Sequence, residues 1–319
     1  MLFTSSPTPV ALKEPAAAEE QQPAITSTPT AMNFDADDED EALQAVLFAS
    51  LMEEQAQMEA AQQASEKAHK EQEARMAAIT TPSLVSKPMP LADFCTEEKF
   101  SEEVNTGLKE LGQPPHCLML TKIRGDGHCL FRMFGGALVL GAAWGGRAAI
   151  EQLTAHMASP LLHETCREVA RLVTELLHER DVLAALNDED ESGKPAQLVA
   201  ALRKASVSYM RAHAERFQHC GEGVEGEGEA AWEAYCGAIE DPSKTKYGGH
   251  PELVALSEAL RARVCIHDTS ALSGRIATYH LGEHLPETCP IVRGLRRGMH
   301  FNLLLQAAAE GDAVIAPLD

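Results

Sequence analysis

Aromatic side chains are scarce, with two Trp, four Tyr and nine Phe in 319 residues, and residues 1–40 hold only Phe3 and Phe34. A front segment so poor in large apolar groups, and so rich in Pro, Ser, Thr, Ala and acid, is expected to be disordered. Basic residues are also short: 27 Lys and Arg face 48 Asp and Glu, for a net charge of -21, and Lys13 is the only basic residue before position 60. An Arg-rich transit peptide is therefore not expected, and without an apolar h-region neither is a secretory signal. The acidic surplus argues against nucleic acid as a partner, because phosphates would be repelled. No apolar run reaches spanning length, so no membrane segment is expected and the chain reads as soluble, in the cytoplasm or the nucleus. Cysteines 95, 117, 129, 166, 220, 236, 265 and 289 never fall at Cys-x-x-Cys spacing. Neither a zinc site nor a disulfide scaffold is indicated, and no metal or cofactor is called for. His163, His178, His213, His219 and His250 lie in helical patterns or their caps and receive no chemistry.

What is present is concentrated in Arg124-Gly125-Asp126-Gly127-His128-Cys129-Leu130-Phe131-Arg132. The two glycines around Asp126 allow a sharp bend after the apolar stretch 117–123, and Cys129 then opens a helical pattern. A helix N-terminus offers unpaired N–H groups and partial positive charge, which favour a thiolate and can hold an oxyanion. Taken alone, Cys129 would be a small buried residue after a tight turn. A second element changes the balance: Gly298-Met299-His300-Phe301-Asn302-Leu303-Leu304-Leu305. On a strand, His300 and Asn302 share one face while Phe301, Leu303 and Leu305 take the other. A nucleophilic thiol needs an imidazole to move its proton and a polar group to orient that ring, and an i, i+2 pair provides both. In isolation each would be an ordinary hydrogen-bonded strand residue.

These blocks resemble the ovarian tumour (OTU) family of ubiquitin-directed cysteine proteases, over about residues 117–306. Gly125 to Phe131 looks like the family's cysteine block and His300-Phe301-Asn302 like its histidine block. Tyr247-Gly248-Gly249-His250-Pro251-Glu252-Leu253-Val254-Ala255-Leu256-Ser257 with Val264-Cys265-Ile266-His267 resembles the segment between them. The resemblance implies Cys129 as nucleophile, His300 as general base and then acid, Asn302 as orienter, and Asp126 in the catalytic set. Three residues ahead of the thiol, Asp126 is better suited to shaping the loop than to relaying a proton. The chain departs from the family at Tyr247, where tryptophan is usual, at Gly135 and Gly136, which interrupt the helix after Cys129, and in the insert 221–229. The cluster Arg293, Arg296 and Arg297 reads as a solvated turn. The resemblance also suggests that an acidic cleft attracts the arginines ahead of the C-terminal glycines of ubiquitin.

The fold class expected is α/β, the papain-like (OTU) cysteine protease fold, with a helical lobe packed on a small C-terminal β-sheet, preceded by a disordered tail and an isolated helix. Helices are predicted over 147–158, 162–186, 195–219, 230–240 and 250–262, and strands over 117–123, 263–268, 275–281, 289–293 and 300–306. The expected organisation is a tail at 1–40, a helix at 41–78, a linker at 79–93, the catalytic domain at 94–309 and a tail at 310–319. In the helix at 41–78, acids at 37–41 lead into Leu43, Val46, Leu47 and Ser50 on one face, the right charge sign for a helix start and a short apolar stripe. It resembles a ubiquitin-interacting motif through Leu43 and Ser50, with Val46 where alanine is usual, and it reads equally well as an amphipathic linker helix. The residues from Glu53 to about Ala78 read as a solvated helical spacer.

Three functions are in contention. The first is a monomeric deubiquitinase acting on ubiquitin and polyubiquitin chains through a Cys129 acyl-enzyme. The second is a non-catalytic ubiquitin-binding adaptor on the same fold, and the third a thiol hydrolase of small esters or amides.

Overall fold

The structure is a computed structural model that describes residues 83–218, 228–244, 246–271 and 274–307, together with Ser50, Met52, Gln55 and Gln57. The chain divides into residues 1–66 and 67–319. In the first unit the four described residues are helical and exposed. Leu43 and Val46 of the expected recognition helix lie outside the described residues, as does most of the acidic insert.

The second unit is a six-stranded sheet covered on both faces by helices. Its elements are β1 (Met89–Pro90), α1 (Leu91–Glu97), α2 (Glu102–Leu111), β2 (Leu118–Thr121), α3 (Cys129–Trp144), α4 (Gly146–Met157), α5 (Arg167–Leu177), α6 (Val182–Leu186), α7 (Lys194–Ala212), α8 (Ala214–Phe217), α9 (Glu229–Glu240), α10 (His250–Ala259), β3 (Arg263–Asp268), β4 (Ala277–Leu281), β5 (Ile291–Arg297) and β6 (His300–Gln306). Strand order is β1-β2-β6-β5-β3-β4, parallel only between β3 and β5.

The period-2 reading of β6 holds. Phe301, Leu303 and Leu305 join the main core built around α3 and the helical lobe, while Leu304 joins a second cluster with Leu91, Phe94, Leu108, Leu118 and Leu120 from α1, α2 and β2. Each face of the strand thus buries its own helical layer.

The structure corrects several expectations. Gly135 and Gly136 do not interrupt α3, which runs unbroken through both. They let α7 and β6 approach: a Cβ at Gly135 would lie 2.9 Å from Leu198 Cδ2. The expected helix at 162–186 is broken, with Asp181 accepting from the Ala184 N–H at 2.9 Å to start α6 as a separate turn. The arginine cluster is not a turn, since Arg293, Arg296 and Arg297 all lie on β5. Arg296 lies 3.6 Å from Asp268, and Arg297 pairs with Glu98. The core also begins earlier than residue 94, because Leu84, Val85 and Leu91 are buried.

Candidate active site

Cys129 is the first residue of α3, so its N–H is one of the amides that a helix start leaves without an intrahelical partner. The bend ahead of it depends on Gly127, whose φ of 85° would strain any side chain. Asp126 accepts from the His128 N–H at 3.1 Å and forms an ion pair with Arg132 one turn into α3. Although burial opposes its charge, Arg132 holds the Asp126 carboxyl below its ordinary range. Asp126 is therefore built into the turn, tying its backbone to the helix that follows.

His300 arrives from a different direction. β5 and β6 are joined by a two-residue hairpin turn with Gly298 at a φ of 62°, closed by the pairing of Arg297 with His300 across the ladder. The turn delivers its backbone against the thiol: Cys129 Sγ donates to the Met299 carbonyl at 3.7 Å, and the Phe301 N–H also acts on the sulfur. Cys129 and the start of β6, far apart in sequence, are thus brought together by the fold.

Asn302 fixes the state of the imidazole. Its Oδ1 accepts from the Ile123 N–H at 2.9 Å and from His300 Nε2 at 3.1 Å. A backbone amide can only donate, so the atom facing both groups must be oxygen, and Nε2 must carry the imidazole hydrogen. His300 Nδ1 is then left with a free lone pair. It is buried and has no hydrogen-bond partner among the described residues, an arrangement that costs free energy and suits a proton acceptor.

Burial pushes the Cys129 thiol up to about 11 and lowers His300, with Asn302 opposing the shift on His300. Both shifts favour the neutral forms, thiol and imidazole, at neutral pH. A raised thiol pKa does not single out Cys129, because burial also lifts Cys166 to about 12 and Cys236 to about 11. What sets Cys129 apart is the combination of a helix start, a glycine turn and contact with the turn leading into His300, whose Nδ1 is unpaired among the described residues.

One residue at the site escaped the sequence reading. Arg203 of α7 is fully buried, and its guanidinium reaches the Gly127 carbonyl, the His128 ring and the ring of Phe131. A signal for it was present: Val199, Arg203, Ser206, Val207 and Met210 recur at helical spacing, which places an arginine within a buried stripe. Glu252 is also fully buried, accepting from Tyr235 Oη and from the Gly249 N–H, each at 2.6 Å. Its carboxyl is raised by burial.

Comparison with known proteins bears on the fold that carries these residues. A family model described as OTU-like cysteine protease matches residues 180–291, a stretch between Cys129 and His300 that includes Arg203 and Glu252. No curated protein matches the chain. A chain in the solved structure of h/ceOTUB1 with ubiquitin aldehyde and UBC13~Ub is 20% identical, with a TM-score of 0.53, over 76% of this chain and 99% of that one. A chain in a ceOTUB1 ubiquitin aldehyde UBC13~Ub complex is also 20% identical, with a TM-score of 0.52, over 75% of this chain and 98% of that one. At this identity the likeness is one of fold. Over residues 180–291 the chain is thus similar to OTU-like cysteine proteases, and over most of its length it shares the fold of these solved chains.

Proposed function

We propose that the protein is a deubiquitinase that cleaves the peptide or isopeptide bond at the C-terminal glycine of ubiquitin. The observation that carries this reading is the double use of Asn302 Oδ1, which leaves His300 Nδ1 as a free proton acceptor on a turn that touches the Cys129 thiol. The likeness in fold to chains solved with ubiquitin aldehyde supports the choice of substrate.

In this mechanism the thiol turns from the Met299 carbonyl toward Nδ1 and loses its proton there as sulfur attacks the glycine carbonyl. The Cys129 N–H, at the positive end of α3, faces the developing oxyanion. His300 then returns the proton to the leaving lysine amine, the carbon–nitrogen bond breaks, and a thioester remains. Water, deprotonated by the same nitrogen, releases ubiquitin. Asp126 shapes the turn that presents the thiol and moves no proton.

Ubiquitin carrying a thiol-reactive C-terminus tests the assignment. Covalent capture is expected in the unmodified chain and is lost in Cys129→Ala. Binding without capture by a folded, unmodified chain would overturn the assignment in favour of the adaptor.

A further inference from the structure

Arg203 is a buried cation whose hydrogen-bond acceptors are all neutral. Nη1 donates to the Ile239 carbonyl at 2.8 Å, and the two hydrogens of Nη2 are shared among the Gly127 carbonyl at 3.0 Å, the Lys246 carbonyl at 3.1 Å and His128 Nδ1 at 3.0 Å. Its carbon Cζ sits 4.7 Å from the centre of the Phe131 ring. Burying a charge this way is expensive, and a well-packed apolar side chain is commonly the more stable choice. Stability alone is a poor explanation for its presence.

Its contacts suggest another. Gly127 and His128 share a peptide group whose carbonyl is held by Arg203 and whose N–H is held by Asp126. That peptide lies immediately ahead of the His128–Cys129 peptide, which carries the Cys129 N–H. Fixing it from both ends sets the direction of the amide that opens α3. The same guanidinium reaches Lys246, next to the segment that packs over the nucleophile helix. A Cβ at Gly248 would lie 3.0 Å from Phe131 Cε2, and Gly249 is pinned to the buried Glu252. Burial first, and Arg203 second, lower the His128 imidazole to about 4, which keeps it neutral and able to accept from the guanidinium.

We infer that Arg203 is a positioning residue for acyl transfer, holding the Gly127–His128 peptide so that the Cys129 amide faces the oxyanion of the reacting carbonyl. The inference rests on the proposed acyl-enzyme chemistry of Cys129. It separates two reactions of the same sulfur. Acyl transfer develops negative charge on a carbonyl oxygen, whereas alkylation by iodoacetamide displaces iodide and needs no oxyanion donor.

The test uses the full chain and ubiquitin bearing a fluorogenic C-terminal amide. Arg203→Lys keeps the charge but loses the fork that spans several acceptors. It is expected to lower kcat about 10- to 100-fold, with KM within about threefold and the rate of Cys129 alkylation, read by peptide mass spectrometry, within about twofold of the unmodified chain. A kcat within about twofold, or parallel losses in turnover and alkylation, would overturn the inference.

If Arg203→Lys does not fold, His128 carries the test. His128→Leu removes one acceptor and is expected to lower kcat several-fold, while His128→Asn, which offers Oδ1 in its place, restores it. Equal turnover in the two variants would overturn the proposal. An unmodified chain that binds ubiquitin without turnover removes the acyl-transfer reading and this inference with it. That result is distinct from turnover that survives in Arg203→Lys.

Discussion

Two cysteine–histidine neighbourhoods are built on this sheet, and the one with a direct sulfur-to-imidazole contact is not the one proposed to carry the chemistry. Cys265 Sγ lies 3.6 Å from His267 Nε2, both on β3 and both buried, and His267 Nδ1 meets Thr278 Oγ1 at 2.9 Å. Both imidazole nitrogens are engaged, and the thiol sits within a strand where the ladder consumes the main-chain amides. Cys129 bonds to the Met299 carbonyl, yet it begins a helix, follows a glycine turn and lies against the turn that leads into His300, whose Nδ1 is unpaired among the described residues. On the proposed reading, a sulfur-to-nitrogen contact alone is a weak guide to chemistry. The free lone pair and the oriented amide are the better guides.

The comparison can be broken most directly at the two thiols. Cys129→Ala is expected to lower ubiquitin cleavage by more than about a thousandfold, and Cys265→Ala to leave it within about twofold; equal effects would erase the distinction. The orienting groups come next. Asn302→Ala should cost about 10- to 100-fold in kcat, whereas Thr278→Val, which removes the partner of His267, should have little effect.

The pH profile sharpens the same contrast. Burial lowers His300, and the base must be unprotonated to work. Activity should therefore appear as pH rises through a midpoint below the ordinary histidine value of about 6.5. A midpoint above that value would contradict the buried neutral base. Asp126→Ala, which frees the turn from Arg132, is expected to reduce kcat about tenfold while leaving ubiquitin affinity nearly unchanged, as read by steady-state kinetics and titration.

The smallest effect is on stability. Burial lowers His267 to about 4, with His116, His280 and Arg293 adding to the shift. The unfolded chain binds this proton more readily than the folded one, so the contribution is fully present above pH about 6.5 and is lost as pH falls toward about 4. His267→Gln should flatten the fall in Tm over that window, by an amount worth on the order of 2 kcal/mol. Because Glu252 is raised and acts with the opposite sign, the informative quantity is the difference between the two chains.

Much of this was legible in the sequence where pattern and punctuation coincide. Strands 263–268 and 300–306 have the predicted bounds, because period-2 alternation is flanked by clear breaks. The helix at Cys129 and the shared face of His300 and Asn302 were legible for the same reason. Helices α1 and α2 were not read. A linker was expected over 79–93, yet α1 begins directly after Pro90, and α2 is capped by Ser101, whose Oγ accepts from the Val104 N–H at 3.3 Å. Arg203 was not read because its partners are carbonyls supplied by segments distant in sequence, which the helical pattern over 195–219 does not reveal.

The bond from the Ile123 amide to Asn302 places the choice of tautomer in the main chain. No replacement of the Ile123 side chain, short of proline, can delete that donor. What could delete it is a slip in the pairing of Leu118–Thr121 with Leu303–Gln306, since a shift by one residue would turn a different amide toward the asparagine. The protonation pattern of the imidazole is thus a readout of strand alignment, inherited from the sheet and largely insulated from drift in neighbouring side chains.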